Sequence, residues 1–247
     1  MTILVTGADG FIGRNFIAQL ESEGEHRIFR FTRETSQREL HEALDVVDGI
    51  IHLAGVNRPK DITEFYLGNT SFTNEIINYC IQHQRSPYIV YASSTQAELD
   101  NDYGKSKFQA EQLLIDYASK TNAQVSILRF PNVFGKWSKP NYNSAVATFC
   151  YNIQLGLPIH VSDPSNVVTL LYIDDAVRLI KEAMDSSTVQ YPEISPTYEI
   201  TLGELVEKME SYKHQEKTPF IPESDSLLDK YLFATYCSFK DLSLIHI

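Results

Sequence analysis

The sequence has few cysteines, little positive charge and no long apolar run, and each shortage excludes a class of protein. Its three cysteines, Cys80, Cys150 and Cys237, lie far apart and form no pair with the spacing of a metal or redox site. With 21 Lys and Arg against 32 Asp and Glu, the formal net charge is −11. That balance argues against nucleic acid and anionic membrane surfaces as partners. We therefore expect no metal, no nucleic-acid partner and no membrane partner.

The longest apolar run, residues 167–173, is too short to span a bilayer. Hydrophobic residues make up 43% of the 247 positions, which is enough for a globular core. Met1 is followed directly by a strand pattern, so we expect no signal peptide and a reduced, cytoplasmic location.

Apolar strand patterns and amphipathic helix patterns alternate through the first half of the chain. This alternation predicts an α/β fold with a doubly wound parallel sheet. A long helix is expected at 62–82, between the third and fourth strands. The strand patterns lie at 2–6, 27–32, 49–53, 88–91 and 124–130.

The second half predicts fewer elements and more loop. We expect a helix at 144–155, and a strand at 167–173 followed by a helix at 176–184 that Asp174 and Asp175 cap. Thr201 and Glu204 have the spacing of a capping box, after a short strand at 197–200. Residues 213–229 are polar, contain two prolines and indicate a linker or surface loop.

A glycine-rich turn follows the first strand and opens a helix. Gly7, Gly10 and Gly13 are spaced as Gly-x-x-Gly-x-x-Gly, in the strand–turn–helix context of a dinucleotide fingerprint. The helix N-terminus would offer free amides and a positive dipole end to phosphates. The turn therefore predicts a dinucleotide cofactor.

The end of the second strand bears on which cofactor binds. Arg33 suits the 2′-phosphate of NADPH, with Arg14 as a second cation, whereas Glu34 would suit the ribose of NAD. We predict NADPH, with NAD as the alternative. The predicted cofactor-binding residues are Gly7, Gly10, Phe11, Ile12, Gly13, Arg14, Arg33, Leu53, Ala54, Gly55 and Lys107.

The fourth strand leads to a candidate catalytic set. Tyr103 and Lys107 are four residues apart and share one face of a predicted helix. An ammonium about 5 Å from a phenol, at an effective dielectric near 20, favours the phenolate by about 3 kcal/mol, or roughly two pKa units. Tyr103 would then serve as a general acid or base, and Ser94 would hold a substrate oxygen. A surface Tyr–Lys pair of no function is the alternative that the spacing alone leaves open.

The segment 131–140 (PNVFGKWSKP) is a loop beyond the carboxyl end of a strand, where α/β folds bind ligands. Asn132 is a candidate for a sugar or phosphate oxygen, and Lys136 and Lys139 are candidates for a diphosphate. Trp137 is either a stacking residue for a base or sugar, or a core or lid residue. These four residues are the predicted substrate-binding set.

In order along the chain, the motifs TGADGFIG, HLAG, SST…YGKSK, LRFPNVFG and YIDDAV resemble those of the extended short-chain dehydrogenase/reductases. The extended short-chain dehydrogenase/reductases are also described as the NAD-dependent epimerase/dehydratase family. The resemblance implies a Rossmann cofactor-binding half, a smaller half for a nucleotide sugar, and Ser94, Tyr103 and Lys107 as the catalytic residues. Together with apolar residues on more than one face of the helix 103–119, it also predicts a homodimer.

One subgroup, the capsular-polysaccharide reductases of the CapF/WbjC type, is similar in AGVNRP, DNDYGKSK and residues 131–151. That likeness implies NADPH-dependent reduction of the C4 keto group of a UDP-4-keto-6-deoxy-aminosugar, in surface polysaccharide synthesis of the N-acetyl-L-fucosamine type. A nucleotide-sugar 4-epimerase that keeps NAD bound and a non-catalytic cofactor-sensing module are the alternatives. Thr95 is followed by Gln96 and Ala97 rather than by the acid pair of the family's dehydratases.

The same likeness suggests a domain organisation. We expect a cofactor-binding domain at 1–130 and an interleaved substrate-binding part at 131–230. Residues 231–247 would then be a truncated linker towards a further cupin-type domain. The expected arginine before the last sheet strand is missing, because residues 166–169 read NVVT.

Overall fold

The computed structural model describes residues 1–185, 189–215 and 226–240, with side chains given only to 213 in the second range. These residues form two compact units. The first comprises Met1–Pro131 and Asp175–Ser195, and the second comprises Asn132–Asp174 and the described residues from Pro196 onward. Among the helices described, none combines the length and apolar character needed to cross a membrane.

The first unit is built on a parallel sheet that has five strands within the described residues. The strands are β1 (Thr2–Thr6), β2 (Arg27–Phe31), β3 (Gly49–His52), β4 (Tyr88–Ser94) and β5 (Val125–Phe130). Their order is β2-β1-β3-β4-β5, and every neighbouring pair is parallel. The direction of winding therefore reverses between β1 and β3, which is the switch point where doubly wound folds bind ligands.

Helices cover both faces of this sheet because their apolar residues recur at helical spacing. They are α1 (Phe11–Glu23), α2 (Gln37–Leu44), the short α3 (Thr63–Phe65), α4 (Phe72–Gln82) and α5 (Asp102–Thr121). Ser36 and Glu39 form a capping box at the start of α2. The main core cluster joins strand and helix residues from one side of the sheet, including Leu4, Ile50, Ile89, Leu114 and Tyr117.

The second unit has a smaller mixed sheet of three described strands. Here β6 (Asn132–Phe134) is parallel to β7 (Val167–Tyr172), and β7 is antiparallel to β8 (Tyr198–Thr201). The helices α6 (Ala145–Leu155), α8 (Leu202–Gln215) and α9 (Leu227–Ser238) belong to this unit, while α7 (Ile173–Met184) continues from it into the first. Tyr172 stacks on Tyr231 of α9 at 4.0 Å between ring centroids.

The predicted alternation and sheet type are confirmed, and several local expectations are wrong. The helix expected at 62–82 is interrupted by a π-helix, Tyr66–Ser71. Residues 132–134, expected in a loop, form β6 because they pair with β7. Asp174 and Asp175 do not cap α7, because that helix begins at Ile173 and includes them in its first turn. The Thr201–Glu204 capping box is present.

The chain's end was expected to be a linker, yet α9 is a helix whose Leu232 and Tyr236 are buried. Its N-cap is Ser226, which accepts from the amide of Asp229 at 3.2 Å. The remainder of the expected linkers, residues 216–225 and 241–247, lies outside the described residues.

Candidate active site

The glycine turn joins β1 to α1 at the switch point. Gly7 has φ +67°, and a Cβ there would lie 2.8 Å from the backbone nitrogen of Ala54. A Cβ on Gly13 would lie 2.3 Å from the carbonyl oxygen of Gly7. The Gly10 amide donates to that same oxygen at 2.9 Å, which closes the turn. Only glycine therefore fits at positions 7 and 13, and the turn brings the backbone of β1 against that of β3.

The other candidates at this turn lie around the same helix end. Phe11, Ile12 and Gly13 form the first turn of α1, so their amides have no acceptor within the helix. Leu53, Ala54 and Gly55 follow β3, with Leu53 donating its amide to Thr6 at 3.3 Å. This arrangement of glycine turn, helix N-terminus and exposed Gly55 fits a dinucleotide pyrophosphate.

The two predicted phosphate-binding arginines are exposed. Arg14 is in the first turn of α1, and Arg33 lies in a tight turn directly after β2. Thr32 and Thr35 brace that turn, with the Thr32 amide donating to Thr35 Oγ1 at 3.0 Å. Glu34, the NAD-type alternative, is exposed in the same turn.

Ser94 ends β4, and Tyr103 opens α5. The Ser94 Oγ accepts from the amide of Gln96 at 3.2 Å and so caps a 3-10 helix, Thr95–Glu98. The Asn101 side chain then caps α5 by accepting from the Gly104 amide at 2.8 Å. Tyr103 is half-buried, and its ring lies 5.6 Å from that of Phe65. Two successive helix caps therefore fix the path of the chain between Ser94 and Tyr103.

Lys107 lies one helical turn beyond Tyr103 and is buried, with 4% of its surface exposed. Its Nζ donates to the carbonyl oxygen of Ala92 on β4 at 2.7 Å and lies 4.2 Å from the ring centroid of Tyr91. Burial lowers the pKa of Lys107 to about 7, and the charge of Glu111 acts in the opposite direction. A Cβ added to Gly55 would lie 3.7 Å from Nζ, so the ammonium lies close to the candidate cofactor-binding backbone after β3.

Asn69 is a site residue outside the predicted catalytic, cofactor-binding and substrate-binding sets. It is buried in the π-helix, where its Oδ1 accepts from the Val56 amide at 2.8 Å. Its Nδ2 donates to the carbonyl oxygen of Val56 at 3.0 Å and to Ser106 Oγ at 2.9 Å. Ser106 in turn donates to the carbonyl oxygen of Tyr103 at 2.8 Å. One amide thus ties the loop after β3 to the first turn of α5. It belongs to a π-helix, an element that is frequent at functional sites.

A second missed residue, His52, lies at the end of β3. Thr73 Oγ1 donates to the carbonyl oxygen of Asn69 at 2.6 Å, so it accepts from His52 Nε2 at 2.9 Å. His52 Nδ1 then accepts from Thr6 Oγ1 at 2.7 Å, and that oxygen accepts from the Ala54 amide at 3.1 Å. This series, named the His52 relay, assigns a neutral imidazole protonated on Nε2.

The His52 relay joins β1, β3 and the π-helix at the point where β1 meets the glycine turn. Burial, and secondly the charge of Lys107, lower the pKa of His52 to about 3. The HLAG motif contains this histidine, so a signal was present in the sequence. Thr6 likewise opens the motif TGADGFIG, whereas Thr73 lies in none of the motifs.

The predicted substrate-binding residues belong to the second unit. Asn132 is exposed on β6, and its Nδ2 donates to the carbonyl oxygen of Thr169 at 3.2 Å. Lys136 pairs with Asp174 at 3.7 Å, and the Nζ of Lys139 lies 5.5 Å from the ring centroid of Tyr142. Trp137 has φ +67° and is 45% exposed, so it is not a core residue. Lys136, Trp137 and Lys139 are exposed and share one loop.

Groups of three or more His, Cys, Asp or Glu side chains suited to a metal do not occur among the residues that the structure describes. The three cysteines are free thiols, and burial raises the pKa of Cys80 and Cys150 to about 12. Neither thiol is therefore a nucleophile at neutral pH.

Comparison with known proteins identifies relatives that match nearly the whole of this chain. The chain is 44% identical over 241 residues to UDP-2-acetamido-2,6-beta-L-arabino-hexul-4-ose reductase of Pseudomonas aeruginosa, covering 97% of this chain and 65% of that protein. The crystal structure of the capsular polysaccharide assembling protein CapF from Staphylococcus aureus matches with a TM-score of 0.89 and 43% identity. That match covers 98% of this chain and 67% of CapF. The chain thus spans about two thirds of the length of these relatives.

A more distant structure shares the fold alone. UDP-glucuronic acid 4-epimerase from Bacillus cereus, solved in complex with NAD, matches with a TM-score of 0.82 at 18% identity, covering 97% of this chain and 99% of that chain. The family described as NAD dependent epimerase/dehydratase matches residues 3–195. That range contains the glycine turn, the His52 relay, Ser94, Tyr103 and Lys107. The chain belongs to the NAD dependent epimerase/dehydratase family.

Proposed function

We propose that this chain reduces the C4 keto group of a UDP-4-keto-6-deoxy-aminosugar with NADPH. The observation that carries the proposal is the arrangement of Ser94 at the end of β4 with Tyr103 and buried Lys107 on α5. The 44% identity to a relative named as a UDP-hexulose reductase supports the choice of substrate class. The name of CapF, a capsular polysaccharide assembling protein, supports a place in the synthesis of a surface polysaccharide. The N-acetyl-L-fucosamine type is proposed from the resemblance of the sequence motifs.

The three catalytic residues have different tasks in this proposal. Ser94 Oγ accepts from the Gln96 amide, so its own hydroxyl proton can be donated to the carbonyl oxygen of the sugar. Tyr103 then gives its phenolic proton to that oxygen as the carbonyl carbon is reduced. Lys107, as a cation, stabilises the phenolate that remains and binds the ribose next to the nicotinamide. The nicotinamide cofactor, when bound, supplies the hydride.

The glycine turn, the first turn of α1 and residues 53–55 would hold the cofactor's pyrophosphate and neighbouring groups. NADPH rather than NAD is proposed because Arg33 and Arg14 are both exposed around the glycine turn and the end of β2. A guanidinium pairs with a phosphate through charge-assisted hydrogen bonds, which the ribose hydroxyl of NAD does not offer. Asn132, Lys136, Trp137 and Lys139 are proposed to bind the nucleotide sugar.

Turnover by a Tyr103→Phe variant tests this assignment. The substitution removes the phenolic proton and leaves the ring, so we expect loss of more than about a hundredfold in turnover. NADPH binding and thermal stability should remain. Tyr151→Phe, at a 36% exposed tyrosine in the second unit, is the matched control and should retain full activity.

The assay follows NADPH absorbance during incubation with UDP-4-keto sugars. Reduction by Tyr103→Phe at a rate within tenfold of the wild type would exclude Tyr103 as the proton donor. Interconversion of C4 epimers without net consumption of cofactor would instead favour the 4-epimerase alternative.

Three further features belong to the same proposal. We propose that residues 1–130 are the cofactor-binding domain and that residues 131–230 are the substrate-binding part. A homodimer formed through α5 is proposed because Phe108 on that helix is 43% exposed. The proposed location is the cytoplasm, where NADPH and UDP-sugars are available.

A further inference from the structure

Glu111 is the most deeply buried acid of the first unit, and the proposed reaction does not use it. Its exposed fraction is 0%, and it lies on α5 one turn after Lys107 and two turns after Tyr103. A buried carboxylate is stable only when it is paired and hydrogen-bonded. The partners of Glu111 therefore indicate what this charge does.

Four donor groups converge on the Glu111 carboxylate. Arg129 of β5 donates from Nε to Oε1 at 3.0 Å and from Nη2 to Oε2 at 2.6 Å. Ser93 of β4 donates its hydroxyl to Oε1 by a short hydrogen bond. Tyr191 donates to Oε2 at 3.3 Å, and its ring lies 4.8 Å from the Arg129 guanidinium. We name Ser93, Glu111, Arg129 and Tyr191 the Glu111 cluster.

The cluster is joined to the catalytic residues on two sides. Ser93 directly precedes Ser94, so the hydroxyl that binds Glu111 fixes the strand end that presents the catalytic serine. Arg129 also donates to Glu98 at 2.6 Å, and Glu98 ends the 3-10 helix that Ser94 caps. The carboxylate thus holds both strand and loop against the α5 face that carries Tyr103 and Lys107.

The cluster also contains the carboxylate that faces the charged amine of Lys107. Groups facing Lys107 are His52 of β3, Tyr91 of β4 and Glu111 of α5. Among them Glu111 is the carboxylate, and it acts to raise the pKa of Lys107 against the effect of burial. Arg129 is the cation facing Glu111 from β5, while Ser93 and Tyr191 are uncharged donors.

We propose that Glu111 is a positioning residue that keeps Ser94 in register with Tyr103 and Lys107 and provides the buried counter-charge that keeps Lys107 a cation. This inference rests on the proposed function for the roles of those three residues. It assigns Glu111 no contact with substrate or cofactor.

The test compares Glu111→Gln with Glu98→Gln. Both remove a carboxylate that binds Arg129, but the Glu98 side chain is 70% exposed and makes no hydrogen bond to Ser93 among those that the structure describes. Lysine labelled with ¹³C at Cε is titrated by NMR in the cofactor-free chain, and Lys107→Arg assigns the Lys107 signal. We expect Glu111→Gln to lower the Lys107 midpoint by about one to two pH units, the size of a charge about 6 Å away at an effective dielectric near 20. Glu98→Gln should leave it unchanged.

Ser93→Ala tests the positioning role separately, because it keeps both charges and deletes only the bond to β4. We expect kcat to fall about tenfold, the KM for NADPH to stay within twofold and the Lys107 midpoint to stay in place. An unchanged Lys107 midpoint in folded Glu111→Gln, or an unchanged kcat in Ser93→Ala, would overturn the inference. If Glu111→Gln does not fold, the kcat of Ser93→Ala decides the positioning role, and an unchanged kcat still overturns the inference.

The NMR titration requires no turnover, so it also separates this inference from the proposed function. An active Tyr103→Phe together with a shifted Lys107 midpoint would reject the reaction scheme and retain Glu111 as the counter-charge of Lys107.

Discussion

Acid should destabilise this protein through His52, because the His52 relay holds the buried imidazole in its neutral form. The buried imidazole is neutral, donating from Nε2 to Thr73 and accepting at Nδ1 from Thr6. A proton added to Nδ1 would place two donors face to face, unless Thr6 rotates its hydroxyl away and leaves the ring charge buried. His52 therefore resists protonation in the folded state.

The free energy follows from the two pKa values. The pKa of His52 is about 3 in the folded state and about 6.5 in an unfolded chain. Because the folded value is the lower one, the stabilisation is complete above pH 6.5 and is lost as the pH falls from 6.5 towards 3. Each pH unit in that window corresponds to about 1.4 kcal/mol, so about 2 kcal/mol is lost at pH 5.

The measurement is urea unfolding at pH 7.5 and pH 5.0 for the wild type and His52→Gln. The variant loses a hydrogen bond and is less stable at pH 7.5, but the difference between its two pH values should be smaller by about 2 kcal/mol. His160→Gln, at an exposed histidine of the second unit, is the control and should keep the wild-type difference. A His52→Gln variant with the full wild-type pH dependence would refute a neutral, buried His52.

Three other outcomes are expected. Arg33→Ala should weaken NADPH binding by about tenfold to a hundredfold in a fluorescence titration and leave NADH nearly unchanged, since it removes a bond to the 2′-phosphate; equal losses for both cofactors would contradict the NADPH assignment. Light scattering at micromolar concentration should give a dimer that Phe108→Glu disrupts, and a wild-type monomer would contradict the α5 interface. Gly13→Ala should lower thermal stability and cofactor affinity together, because its Cβ would meet the Gly7 carbonyl oxygen at 2.3 Å, whereas Ala18→Ser on the exposed side of α1 should change neither.

The proposed roles in catalysis depend on residues close in sequence, and these were predictable. The glycine turn and the Tyr103–Lys107 spacing are local patterns, each formed within a single turn or helix. The alternation of strands and helices likewise follows from the spacing of neighbouring apolar residues. Such patterns predicted the parallel sheet and the candidate cofactor-binding turn without any knowledge of long-range contacts.

The sequence by itself therefore determined the family motifs, the sheet type and the residues proposed for catalysis. Tertiary structure alone decided what surrounds them. His52 and Thr6 are 46 positions apart, Asn69 and Val56 are 13 apart, and Glu111 and Arg129 are 18 apart. Their side chains have no periodic signal, because a buried polar group is selected by the partner that satisfies it, and that partner is brought near only when the strands pack. The π-helix around Asn69 and the pairing of β6 with β7 arise in the same way, from contacts between segments distant in sequence.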